Sequence, residues 1–118
     1  GFARGGGAVN KPWEAYALHI LDAIERIRAI QERGDLTQDR VLYDATLRNL
    51  QTLLEAMRQL PDQLQRQHPS VPWRGISGFR NILVHNCLGE IDADAVASMV
   101  DKHLVLLAST VRSMLRGF

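Results

Sequence analysis

Apolar residues recur every three or four positions along almost the whole chain, the spacing that lines one face of a helix. A first helix is predicted from about Pro12 to Arg33, with Tyr16, Ile20, Ile24 (or Ala23), Ile27 and Ile30 as its buried stripe. Pro12 suits a first helical position. Gly34 suits a C-terminal stop, and Thr37 or Asp35 can cap the next helix. The second helix is predicted from about Gln38 to Arg66 on the stripe Tyr43, Leu47, Leu50, Leu54, Met57 and Leu64. Pro61 falls where the stripe should continue, so a kink or break is expected there. His68-Pro69-Ser70-Val71-Pro72 reads as a loop. A short third helix follows, about Trp73 to Asn86. Gly89 and an Asp92 cap then lead to a fourth, about Ala93 to Leu115, on Val96, Val100 (with Met99), His103, Leu107, Val111 and Met114. No stretch alternates like a strand. The pattern predicts an all-α, up-and-down helical bundle.

Composition narrows this picture a little. The chain has 118 residues, 46% hydrophobic and 23% charged, which suits one globular domain. The formal net charge of +1 gives no global basic signature, so any nucleic-acid partner must be held by a local patch. The single cysteine, Cys87, rules out an internal disulfide and the usual multi-cysteine zinc site. The four histidines lack metal-ligand spacing, so no metal site and no cofactor are expected. No apolar run reaches the roughly 18–20 residues of a membrane span, and a cytoplasmic setting without membrane partners is the default expectation. The Gly-rich opening GFARGGG, which lacks an initiator Met, makes residues 1–11 a flexible lead and 12–118 the helical domain.

The third helix carries the chemistry. Within Gly78-Phe79-Arg80-Asn81-Ile82-Leu83-Val84-His85-Asn86-Cys87, three strongly polar groups interrupt an apolar run. On a wheel of about 100° per residue with Arg80 at zero, Asn81 falls near 100° and His85 near 140°, around Val84. Ile76, Phe79, Ile82 and Leu83 fall between about 200° and 320°, the face expected in the core. Gly75 and Gly78 leave room for a neighbouring helix to approach. Two readings stand. The three polar residues form a solvated face with a histidine at a helix end. Or they form an acid–base site, in which His moves a proton near neutrality and Arg holds a phosphate with its forked donors. The second arrangement suits phosphodiester cleavage with the RNA 2′-hydroxyl as internal nucleophile.

Arg80-Asn81-Ile82-Leu83-Val84-His85 resembles the R-x4-H signature of HEPN domains, including the polar residue after the arginine. The wider run is similar to the HepT-like branch, the toxin half of HepT/MntA toxin–antitoxin pairs. Arg48-Asn49-Leu50 with Glu55-Ala56, Pro72-Trp73 with Ile76 and Gly78, and Ile91-Asp92 all resemble stretches of that family. The likeness covers about Trp13 to Leu115. It implies a four- to five-helix HEPN-like bundle and a homodimer whose short helices face one another. It also implies metal-independent endoribonuclease activity with Arg80, Asn81 and His85 in a composite cleft, RNA as substrate, and a minimal, MntA-like nucleotidyltransferase as antitoxin. Two positions depart from the pattern. The family motif continues H-x-Y, and its tyrosine accepts AMP groups from the antitoxin; Cys87 stands there, and a thiol suits that chemistry poorly. Tyr16 and Tyr43, assigned to core stripes, are not expected to replace it. The family's G-E-A reads Leu54-Glu55-Ala56.

Other polar residues carry paired readings. Glu55 is a solvated helix charge or a carboxylate that orients Arg80 or Arg48. Arg48 and Asn49 are surface residues or part of an RNA-facing wall. His103 reads as a satisfied core histidine, Trp13 and Trp73 as core anchors, and Cys87 as a small packing residue. The rival to a ribonuclease is a non-catalytic HEPN module that binds a nucleotidyltransferase partner or a nucleotide; a plain dimerisation domain is a third possibility.

Overall fold

The computed structural model describes residues 11–85 and 91–117, with the side chains of residues 84 and 85 outside that description. The predicted lead lies almost wholly outside the described residues. Five helices follow one another: α1 (Pro12–Arg33), α2 (Arg40–Arg58), α3 (Asp62–Arg66), α4 (Trp73–His85) and α5 (Ala93–Arg116). There is no strand among the described residues. The α1 helix packs along α2 and against α5, and α2 packs against α4. The predicted all-α bundle is the observed architecture.

Local chemistry sets the helix ends. Pro12 opens α1, where its missing N–H would have had no partner. Gly34 closes it at φ +152°, donating its N–H to the Gln31 carbonyl at 3.3 Å. A Cβ at this position would also lie 3.1 Å from Leu42 Cδ1. The cap of α2 is Asp39, whose carboxylate accepts from the N–H groups of Val41 and Leu42. The expected caps Asp35 and Thr37 instead bond each other: the Asp35 carboxylate accepts from the Thr37 N–H at 2.9 Å and its hydroxyl at 2.7 Å, folding the turn before α2. The break expected at Pro61 is real. Helix α2 ends at Arg58, and Pro61 restarts the chain as α3. Asp92 caps α5 through the Asp94 N–H, as expected.

One continuous core fills the bundle. Ala17, Ile20, Ala23, Ile24 and Ile27 of α1 are buried with Leu50, Leu53, Leu54 and Met57 of α2 and Val96, Leu104, Leu107 and Val111 of α5. Two polar residues, Thr46 and Thr110, are buried with it; Thr46 is fully buried, and its hydroxyl donates to the Leu42 carbonyl at 2.8 Å. Trp13 and Trp73 pack against the core as anchors, and Trp73 Nε1 donates to the His68 carbonyl at 3.0 Å.

Three assignments change. The stripe of α1 runs through Ala17 rather than Tyr16, which is 37% exposed. On α5 the core position is Leu104, and its neighbour His103 is only half-buried. On α4, Ile76, Phe79 and Leu83 are buried, but Ile82 is 43% exposed. Each misplaced residue sits one position from a buried one. A rotation of about 100° separates core from rim, and spacing alone leaves stripe edges ambiguous.

Candidate active site

The site begins with where α4 meets α2. Ile76, Phe79 and Leu83 turn into the core, which fixes the rotation of the helix. Arg80, the next residue after Phe79, therefore emerges at the rim of the contact, its side chain 28% exposed. There Glu55 of α2 receives it: Arg80 Nε donates to Glu55 Oε1 at 2.6 Å. Of the two sequence readings of Glu55, the partner of Arg80 is the one the geometry shows. Its other oxygen, Oε2, accepts from Arg58 Nη1 at 3.2 Å. The hydrogen bond from Arg80, aided by the positive charges of Arg80 and Arg58, holds the Glu55 carboxyl below its ordinary value against a smaller opposing cost of desolvation. Glu55 is thus an anion at neutral pH.

This arrangement orients Arg80. Glu55 grips the Nε edge, and Nη1 and Nη2 make no hydrogen bond among the described residues. A guanidinium held by one edge presents its remaining donors in a fixed plane, the geometry that suits a phosphate. Asn81 is exposed beside it. His85 is the last residue of α4, five positions after Arg80; only its backbone is described. Cys87, at the position where the resembling family has its tyrosine, lies outside the described residues.

The supporting residues separate. Arg48 lies two turns before Glu55 on the same exposed face of α2, but among the described residues the partners of Glu55 are Arg80 and Arg58, not Arg48. Asn49 is half-buried, and its amide donates to the Ala45 carbonyl at 2.9 Å, so it serves its own helix. Arg58, which no sequence pattern marked, joins the site through Glu55. Its signal was present as the i, i+3 spacing of Glu55 and Arg58. The glycines behave differently from expectation within one chain. A Cβ on Gly78 would meet nothing within 4 Å, and one on Gly75 only Pro72 Cβ at 3.8 Å. Among the described residues, no other helix of the chain fills the space they leave. Among the described residues, no group of three or more His, Cys, Asp or Glu gathers to hold a metal ion. None of the described helices is long and apolar enough to cross a membrane.

Comparison with known proteins covers most of the chain. The family model described as Ribonuclease HepT-like matches residues 20–114. A protein of Caldanaerobacter subterraneus subsp. tengcongensis named "Putative RNase" is 37% identical over 78 residues, covering 63% of this chain and 69% of its own length. A Methanocaldococcus jannaschii protein of the same description is 28% identical over 113 residues, 89% of this chain and 92% of its own. One from Thermococcus cleftensis, named "Probable ribonuclease HepT", is 31% identical over 77 residues, 63% of this chain and 70% of its own. No solved structure matches.

Proposed function

Given that this chain belongs to the HepT-like ribonuclease family, we propose that it is a metal-independent endoribonuclease and the toxin of a toxin–antitoxin pair, with Arg80 and His85 as its catalytic residues. The observation that carries the reading is the grip of Glu55 on Arg80 Nε at 2.6 Å. A carboxylate that consumed the whole guanidinium would make a structural bridge. One that takes a single edge makes an oriented phosphate clamp.

The chemistry needs no bound group. The 2′-oxygen of a ribose attacks the adjacent phosphorus, the bond to the departing 5′-oxygen breaks, and a 2′,3′-cyclic phosphate and a 5′-hydroxyl result. Negative charge grows on the phosphoryl oxygens as the 2′-oxygen adds, and the Nη groups of Arg80 meet it. A proton must leave the 2′-hydroxyl and another must reach the 5′-oxygen. Histidine does both kinds of transfer near neutral pH, and a positioned one contributes about 10²–10⁴-fold. Asn81, adjacent to Arg80, positions His85 or the phosphate.

A homodimer supplies what one chain lacks. Gly75, Gly78, Ile82 and His85 follow one another at three-, four- and three-residue spacing, the seam of two helices packed side by side. The glycines are open and Ile82 is exposed within one chain. Packing α4 against α4 of a second copy would fill that seam and bring two histidines together, one to accept a proton and one to donate it. A minimal nucleotidyltransferase is the proposed antitoxin. With Cys87 in place of the AMP-accepting tyrosine, covering the cleft is the simplest way for it to act.

The test is RNA cleavage in EDTA, comparing the protein with His85→Ala. Cleavage by the parent that leaves cyclic phosphate ends, and falls by about 10²–10⁴-fold in the variant, is expected. Equal rates would remove His85 from the mechanism. No cleavage of any RNA by the parent would favour a module that only binds a nucleotidyltransferase or a nucleotide.

A further inference from the structure

Tyr16, expected in the core, lies at the surface. The residue is 37% exposed on α1, with the His19 ring 6.5 Å from its own ring and tilted 57° to it. The two rings form one side of an open groove of about 500 Å³ between α1 and α2. Gln51, Thr52, Glu55 and Gln59 of α2 form the other side. We propose that this groove is a nucleobase subsite, in which an unpaired base of the RNA flanking the scissile phosphate stacks on Tyr16 and meets the polar edge of α2. The proposal rests on the ribonuclease reading for its substrate class and adds a place where that substrate is held.

Three observations choose a base over other occupants. First, the groove and the candidate active site share a residue. Glu55 lines the groove and, through Oε1, holds Arg80. A strand whose phosphate lies on Arg80 therefore passes the groove within one residue's reach. Second, the lining has the two parts that single-stranded recognition uses: an aromatic face for stacking, and amides, a hydroxyl and a carboxylate to meet donors and acceptors on a base edge. Gln51 and Gln59 each offer both a donor and an acceptor. Third, the charges around it favour a polyanion. Arg58 and Arg80 already neutralise the single carboxylate of Glu55, and Arg48 lies two turns back on α2. The volume is within the range of roughly 300–1,000 Å³ in which small ligands bind. A packing explanation for Tyr16 is missing, because its helix already fills the core through Ala17 and Ile20.

The experiment separates holding from cutting. A mixed-sequence single-stranded RNA with 2′-O-methyl groups has no free internal nucleophile and reports binding alone, by fluorescence anisotropy on the full chain. Tyr16→Ala is expected to weaken binding by about 5- to 150-fold, the range for losing one stacked base. Tyr16→Phe keeps the ring and is expected to stay within about twofold of the parent, as for stacking without a required hydroxyl. On cleavable RNA, Tyr16→Ala should raise KM more than it lowers kcat and flatten the base preference beside the cut. Unchanged binding in Tyr16→Ala overturns the subsite, as does a Tyr16→Ala protein that has lost its dimer, since a second copy would then occupy the groove. If the parent cuts no RNA but binds the methylated strand through Tyr16, the ribonuclease reading fails and the subsite stands. Cleavage by the parent with binding that ignores Tyr16 removes the subsite and keeps the ribonuclease.

Discussion

Helix α2 meets its two neighbours in different ways. Toward α1 it meets a continuous apolar stripe, Ala17 through Ile27, with Leu50, Leu53, Leu54 and Met57 buried on its own side. Toward α4 it meets an apolar layer as well, Ile76, Phe79 and Leu83, but the rim of that contact is a charged bridge between Glu55 and Arg80. The helix on that side also contains two glycines and an asparagine within 13 residues. Such residues weaken a helix, each glycine by about 1 kcal/mol relative to alanine. The first contact devotes its sequence to packing. The second gives up some helix stability to place a guanidinium, an amide and a histidine on one short element.

The two contacts should fail differently. Leu50→Ala removes a fully buried side chain from the apolar side. It should cost about 2–5 kcal/mol in chemical unfolding, the usual range for such truncations, and leave the rate of RNA cleavage per folded molecule nearly unchanged. A loss below about 1 kcal/mol would mean that the core relaxes around the gap and that this contact is looser than its burial implies.

The same contrast decides what can be read from the sequence. Fold class and helix order follow from periodicity, because every buried stripe obeys the helical repeat and each loop carries a Pro, Gly or Asp signal. What periodicity does not give is the rim. Tyr16, His103 and Ile82 are apolar or aromatic residues one position from a buried one, and only the final rotation of each helix sorts them. The cap on α2 escapes for a related reason. Asp35, Thr37 and Asp39 are all competent caps, and the turn geometry selects Asp39. Arg80, Asn81 and His85 are conspicuous as polar residues in an apolar helix, but that pattern alone suits a solvated face equally well, and it is the resemblance to HEPN domains that marks them as a proposed site. Glu55 is legible only as one of two options, since its partner lies 25 positions away in sequence. Arg58 is marked only by its i, i+3 spacing from Glu55, a spacing common to many exposed helix pairs, so its part shows once the pairing of Glu55 is known.

Gly78 tests the open side of α4. Within one chain nothing lies within 4 Å of a Cβ placed there. On helix propensity alone, Gly78→Ala should stabilise by about 0.5–1 kcal/mol. The proposed α4–α4 seam predicts the opposite for the assembly: an added methyl at a close helix crossing weakens the dimer, which sedimentation across a concentration series would show. A variant that melts higher and stays equally dimeric would take Gly78 out of the interface.

Glu55→Gln makes the smallest change to the fold and the sharpest change to the second contact. Both Glu55 and Arg80 are partly solvated, so the bridge should contribute no more than about 1 kcal/mol to stability. Its pH dependence has a fixed sign. The folded carboxyl titrates below the ordinary value of 4.5, because Arg80 and Arg58 favour its charged form. The contribution is therefore full above about 4.5, begins to fade as pH drops below that value, and is gone once pH passes below the lowered folded value. Denaturation of the parent and of Glu55→Gln should converge in that acid window and differ by a constant amount at neutral pH. Catalysis should respond more than stability does. The glutamine can still accept from Arg80 Nε, but it no longer carries the charge that fixes the guanidinium plane. A fall in kcat larger than the stability loss, with partial recovery in Glu55→Asp, would make Glu55 a positioning residue for Arg80. Equal kcat in Glu55→Gln and the parent would reduce the bridge to a surface ion pair.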